Sequence, residues 1–208
     1  MEELLIPLMF YGIVSVVYLA VAVIGFLVGY FAFKVYRLTS KNSVRNLSIS
    51  FFILSLGFLI LTAISLYTYI QIDFFNSLSN IVLFNYYGFS IYYVSSLIAY
   101  LLLALTYFSE NRKIIPIVFV NLWYANFTQF HLASLLLIGF VIFKNLKNSI
   151  KRKSLDSYLV TFAFISLAMF HILLLLTTFT PFMYVVANLF LIVGFLSLLT
   201  MLIRVYRK

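Results

Sequence analysis

The stretch Ile114–Phe143, IIPIVFVNLWYANFTQFHLASLLLIGFVIF, contains no charged residue, and its reading decides the fold. It runs for 30 residues between Lys113 and Lys144. A helix needs about 20 apolar residues to cross about 30 Å of hydrocarbon, so the stretch is long for one span and short for two. Apolar runs on either side predict spans from Phe10 to Phe33, Leu47 to Ile70, Ile81 to Phe108, Tyr158 to Phe179 and Pro181 to Ile203.

The basic residues settle the ambiguity. Lys34, Arg37, Lys41 and Arg45 lie between the first two spans, and Arg112 and Lys113 follow the third. Lys144, Lys147, Lys151, Arg152 and Lys153 precede Tyr158, and Arg204, Arg207 and Lys208 come last; together these are all 14 basic residues. If 114–143 crosses twice, or enters and returns, every one of them falls on a single side, which the positive-inside rule makes the cytoplasm. The expectation is an all-α, polytopic membrane helix bundle of seven transmembrane helices in one domain. It is a multi-pass protein of the cell membrane, with the N-terminus outside and the C-terminus cytoplasmic. The fourth helix, 114–124, is short. The acidic start Met1-Glu2-Glu3 does not fit a cleaved leader, so the first span is expected to stay as an anchor.

Composition agrees with this placement. Of 208 residues 65% are hydrophobic and 9% charged, with a mean hydropathy of +1.14. Soluble domains run at about 45–50% apolar and about 25% charged, so too few polar residues remain to cover a water-facing surface. The formal charge of +9 becomes an orientation signal, and no nucleic-acid partner is expected. The partners implied are the lipid bilayer and, as a further expectation, other membrane subunits or copies of this chain. With no cysteine, disulfides, thiolate metal sites and cysteine nucleophiles are excluded.

A self-similarity runs through the chain. Gly29-Tyr30-Phe31-Ala32-Phe33-Lys34 matches Gly139-Phe140-Val141-Ile142-Phe143-Lys144, Arg37 matches Lys147, and Phe51–Gly57 matches Phe162–Ala168 after a one-residue slip. The organisation expected is a parallel 3+1+3 internal repeat, with halves 10–108 and 127–203 and the linker helix 114–124. Parallel repeats occur in some transporters, among them the SWEET proteins. This chain resembles them in layout alone: its prolines stand at Pro7, Pro116 and Pro181, with no proline–glutamine loop motif.

Ionisable groups in hydrocarbon are costly and mark function, but no Asp, Glu, Lys or Arg falls inside a predicted span. A retinal-bearing lysine, a buried carboxylate for proton coupling, an HExxH protease and a serine triad all lack their residues, and no enzymatic activity is expected. The exceptions are His131 and His171, each 13 residues from the basic end of its span and so about 20 Å deep. Read as a pair they offer a metal or b-type haem site; read singly they hydrogen-bond across helices. No cofactor is expected on the second reading. Asn85, Tyr92 and Ser96 share one face of the third span, and Asn188 lies in the last. With the histidines they form a candidate outward-facing site for a neutral ligand. Trp123 and Tyr124 suit an interfacial belt. Gly25 and Gly29 form a GxxxG packing motif, and Asn126-Phe127-Thr128 a glycosylation sequon.

The function expected is non-enzymatic: a small carrier or binding module for a neutral ligand. The alternatives are a sensory or scaffolding subunit of a larger complex, and a haem electron-transfer subunit. Topology is tested by reporter fusions. A reporter in the 36–46 connection is expected to read as cytoplasmic and one at 125–128 as external; the reverse pattern overturns the orientation.

Overall fold

The computed structural model describes residues 8–73, 81–107 and 126–207. Six helices emerge: α1 Leu8–Thr39, α2 Asn42–Asp73, α3 Ile81–Leu105, α4 Phe127–Arg152, α5 Leu155–Leu175 and α6 Phe182–Tyr206. All six are long and apolar enough to cross a membrane. The chain is an all-α integral membrane protein, and its multi-pass placement in lipid follows. The short fourth span expected at 114–124 lies outside the described residues, as do Trp123 and Tyr124.

The helices outrun the predicted spans. α1 continues past Phe33 to Thr39 and α2 begins at Asn42, so Ser40 and Lys41 alone connect them. α4 likewise passes Lys144 and ends at Arg152. Bilayer thickness limits an apolar run but not a helix; Lys and Arg are good helix formers whose charged ends reach the headgroups from an apolar stem. Lys34 shows this, its ammonium 4.8 Å from the Tyr30 ring and 5.0 Å from that of Tyr206. Both connections at this end turn through a left-handed residue. Ser40 (φ 52°) donates its N–H to Tyr36 O at 2.7 Å, and Lys153 (φ 47°) donates to Ser149 O at 2.9 Å. That is the left-handed helix stop, here without glycine.

Contacts between helices fix their directions. α1 and α2 are antiparallel, with Gly12 beside Tyr69 at one end and Ser48 Oγ donating to Gly29 O at 2.8 Å toward the other. α2 and α3 form the next antiparallel pair through Thr68 and Asn85. α4 and α5 meet at His131–His171 and Ser149–Thr161, and α5 and α6 meet where Gly194 lies on Ala163 and where Arg204 reaches Asp156. Two seams are parallel. α1 meets α6 at Tyr18–Tyr184 and again at Phe31–Tyr206. α3 meets α4 at Tyr92–Phe130 and again at Tyr107–Asn145. The six helices close a ring in chain order. α1, α3, α4 and α6 all end on the same face, and every basic side chain among the described residues stands at or near it.

Lipid-facing positions are apolar, as with Val16, Leu136 and Phe143, while the axis is filled by aromatic rings. Phe195 meets Phe51 and Phe58 edge-on at 5.4 and 5.7 Å. Between helices in lipid, close packing and hydrogen bonds replace the hydrophobic drive, and Gly25 and Gly29 serve that packing. A Cβ on Gly25 would strike Ser55 Oγ and stand 2.9 Å from Phe195; one on Gly29 would stand 3.0 Å from Phe52. The GxxxG motif therefore seats α1 on α2 and α6 of its own chain. Gly139, the repeat partner of Gly29, has nothing within 4 Å of an added Cβ. Gly25→Ala is expected to destabilise by about 1–3 kcal/mol through overpacking. Gly139→Ala is expected to be neutral, or to stabilise by about 0.4–1 kcal/mol by restricting the unfolded chain. Thermal unfolding in detergent separates the two.

Candidate functional site

Two polar regions lie along the axis, separated by an apolar plug. One, on the side away from the basic face and called outer for that reason alone, forms around the histidines. Asn126 caps α4, its Oδ1 accepting from Gln129 N at 3.0 Å, and His131 follows in the next turn. His171 stands one turn before the end of α5. Their Nδ1 atoms are 2.7 Å apart, and His171 Nε2 is 3.1 Å from Tyr100 Oη on α3. Phe127, Phe130 and Phe170 surround the rings at 4.4–5.1 Å between centroids. Both histidines are buried. A 2.7 Å separation is a hydrogen bond, in which one Nδ1 carries the proton and the other accepts it. Zinc bound to both nitrogens at about 2.0–2.1 Å with tetrahedral angles would hold them about 3.3 Å apart. An iron between two axial imidazoles needs a wider gap still. In this hydrogen-bonded arrangement the two Nδ1 atoms stand closer together than two ligands of one metal ion would. Among the described residues, no three His, Cys, Asp or Glu side chains converge on a metal-sized site.

Tyr92, Ser96 and Asn188 are buried in the same outer half. Tyr92 and Ser96 interact one turn apart, yet neither hydroxyl finds a partner in hydrogen-bond geometry. Asn188 Nδ2 donates to Tyr184 O at 2.8 Å while its Oδ1 accepts nothing, and Ser134 Oγ is also unpartnered. Asn85 stands apart from this group, its Oδ1 accepting from Thr68 Oγ1 at 3.0 Å on the α2–α3 seam. Tyr18 and Tyr184, absent from the sequence-based set, close the α1–α6 seam with hydroxyls 2.8 Å apart. Tyr100 and Ser134 were missed as well. Continuing the Tyr92–Ser96 stripe by four residues reaches Tyr100; no signal singled out Ser134 from other span serines.

The inner region is a cavity of about 460 Å³ at the basic face. α2 contributes Ser43 and Leu47, α4 Asn145 and Asn148, and α5 Ser157, with Tyr107 following α3. Leu103, Phe164 and Leu198 line its deeper part, toward the Phe51–Phe58–Phe195 plug. Tyr107 Oη donates to Asn145 Oδ1 at 2.8 Å, and Asn145 Nδ2 donates to Val141 O at 3.1 Å. Burial pushes the Tyr107 phenol up from its ordinary value, with the Asn145 hydrogen bond opposing more weakly, so it stays a neutral donor. The acid in the lining, Asp156, is held by Arg204 at 3.1 Å. The walls thus present amides and hydroxyls, and the acid's charge is compensated. Sequence reading passed over this cavity because Asn145 and Asn148 lie beyond Lys144, where the span was ended.

Comparison with protein-family models, with curated proteins and with solved structures finds no match.

Because the chain has no cysteine, single cysteines report each region cleanly. Asn148→Cys is expected to react rapidly with a membrane-impermeant maleimide applied to the basic face, and Ser134→Cys slowly. Equal rates would mean that the plug does not separate the two regions.

Proposed function

We propose that this protein is a non-enzymatic carrier for a small neutral solute, built from two parallel three-helix units joined by a crossing linker. The observation that carries the reading is the cavity, with its hydroxyl and amide lining between α2–α3 and α4–α6 and the unpartnered polar atoms beyond the plug. Tyr92, Ser96, His131, His171 and Asn188 are the ligand-binding residues of the outer half, with Asn85 at its edge. Buried polar groups without partners are uncommon and ask for an explanation; a polar ligand met in another conformation supplies one.

The directions of the helices support the seven-crossing layout. α4 begins at the face opposite the one where α3 ends, which is the arrangement that a seventh crossing between them requires. α1, α2 and α3 follow one another around the ring in the same order and with the same alternation of direction as α4, α5 and α6, as a repeat would require. Ser40 and Lys153, the left-handed stops, then occupy equivalent hairpins. On this reading, the unequal use of Gly29 and Gly139 is a point at which the halves have diverged. The basic face is cytoplasmic on this reading, placing the N-terminus outside and the C-terminus inside. A scaffolding role loses its motif, since Gly25 and Gly29 pack within the chain, and a haem role loses its geometry at His131 and His171.

The test is uptake by proteoliposomes of uncharged probes: urea, glycerol, a hexose and a disaccharide. At least one probe is expected to enter faster than in protein-free vesicles, and blocking Asn148→Cys with a bulky maleimide is expected to stop it. Uptake that the block does not reduce would remove the cavity from the path.

A further inference from the structure

The chain of hydrogen bonds Tyr100–His171–His131 joins the two three-helix units, since Tyr100 stands on α3 and the histidines on α5 and α4. Every member of it both donates and accepts. In one register His131 Nδ1–H donates to His171 Nδ1, His171 Nε2–H donates to Tyr100 Oη, and His131 Nε2 is a bare acceptor. In the other, Tyr100 Oη–H donates to His171 Nε2, His171 Nδ1–H donates to His131 Nδ1, and His131 Nε2 carries the proton. The two registers hold the same number of protons. In the first, Nε2 of His131 accepts one more, and the charge is then shared along the Nδ1–H···Nδ1 line.

Among the described residues, the packing around the pair offers that charge no counter-ion. The titratable groups facing it from α3 are Tyr100 and, behind Phe130, Tyr92 and Tyr93. α4 and α5 present Phe127, Phe130 and Phe170. At this end of α6 the titratable group is Tyr184, bonded to Tyr18 of α1. Asp156 is held by Arg204 at the opposite end of the bundle. A charge here needs water. The adjoining layer already holds four buried polar atoms without partners, on Tyr92, Ser96, Ser134 and Asn188. Admitting water satisfies both needs at once.

We propose that Tyr100, His171 and His131 form a proton-binding switch that holds the outer half shut while neutral and opens it to water on taking up one proton. The proposal rests on the carrier reading for its purpose, but its chemistry is separable. In the open, hydrated form a histidine titrates near its ordinary value of about 6.5. The neutral pair therefore keeps the closed form above that pH. Below it, each unit of pH favours the open form by up to about tenfold, for one proton.

Labelling of Ser134→Cys by a small methanethiosulfonate is measured between about pH 8 and pH 5, the window in which histidines titrate. Rates are normalised to Thr180→Cys, at an exposed position, which removes the pH dependence of the thiol itself. The normalised rate is expected to climb by up to about tenfold per pH unit below about 6.5, and to stay flat once His131→Gln is added. A flat rate without that substitution, or an unchanged slope with it, overturns the switch. So that the test does not depend on the folding of His131→Gln, the unsubstituted chain provides a second measurement: it has two histidines, so ¹⁵N-histidine spectra are read directly. Coupling between the two Nδ1 nuclei at high pH, lost together with the labelling transition, supports the proposal; two uncoupled, independently titrating rings overturn it. Uptake of the neutral probes by the unsubstituted chain separates the two readings. Uptake with flat labelling leaves the carrier and ends the switch, while pH-dependent labelling with no uptake leaves the switch and ends the carrier.

Discussion

Hydrocarbon supplies no hydrogen bonds, and the arrangement of this protein follows from that. Each hydroxyl in a span must find its partner inside the protein, and most take the nearest one. Ser55 bonds to Phe51 O, Thr62 to Phe58 O and Ser166 to Phe162 O, all one turn back along their own helices. Those serines and threonines are satisfied locally and leave no demand on a neighbour. The side chains that reach across instead are few, and they define the seams. Tyr18 meets Tyr184, Tyr100 meets His171, Tyr107 meets Asn145, Thr68 meets Asn85 and Ser149 meets Thr161. Three of these five join the first three helices to the last three. The units therefore touch through polar tips set among aromatic rings, a contact that can be exchanged for water without exposing a charged core.

Against that background the two polar regions differ in kind. In the inner cavity the amide of Asn145 is satisfied by Tyr107 and Val141, and Ser149 is bonded to Ser157 and Thr161. In the outer layer the hydroxyls of Tyr92, Ser96 and Ser134 and one oxygen of Asn188 lack a partner in hydrogen-bond geometry. A buried polar atom left without a partner costs about 1–3 kcal/mol, so the outer layer is the less comfortable of the two. On the proposed carrier reading, stability lost there narrows the gap between a closed and an open form.

Much of this was legible in the sequence, because lipid imposes simple rules. The clustering of charge at one face agrees with the relative directions of the six described helices. The equal depths of His131 and His171 brought them to one level. The loss came where the rules concern the bilayer and the helix does not obey them. Ending spans at Lys34 and Lys144 hid the two-residue turn at Ser40 and Lys41 and discarded the last two turns of α4, with Asn145 and Asn148. Side-chain destinations were also out of reach. Asn85 shares a helix face with Tyr92, yet its carbonyl goes to Thr68; Gly29 and Gly139 read alike, yet only one is clamped. Such differences depend on which neighbour arrives, and helical periodicity does not contain that information.

The tight hairpins carry a consequence for assembly. α1 with α2, and α4 with α5, are joined by turns of two residues, so their contacts are close in sequence and need little loop-closure entropy. Each pair can form soon after it leaves the ribosome. The Tyr18–Tyr184 seam is another matter, for its partners are 166 residues apart, and it must wait until nearly the whole chain is in the membrane. The ring is closed last at the place where it is bridged by one pair of phenols.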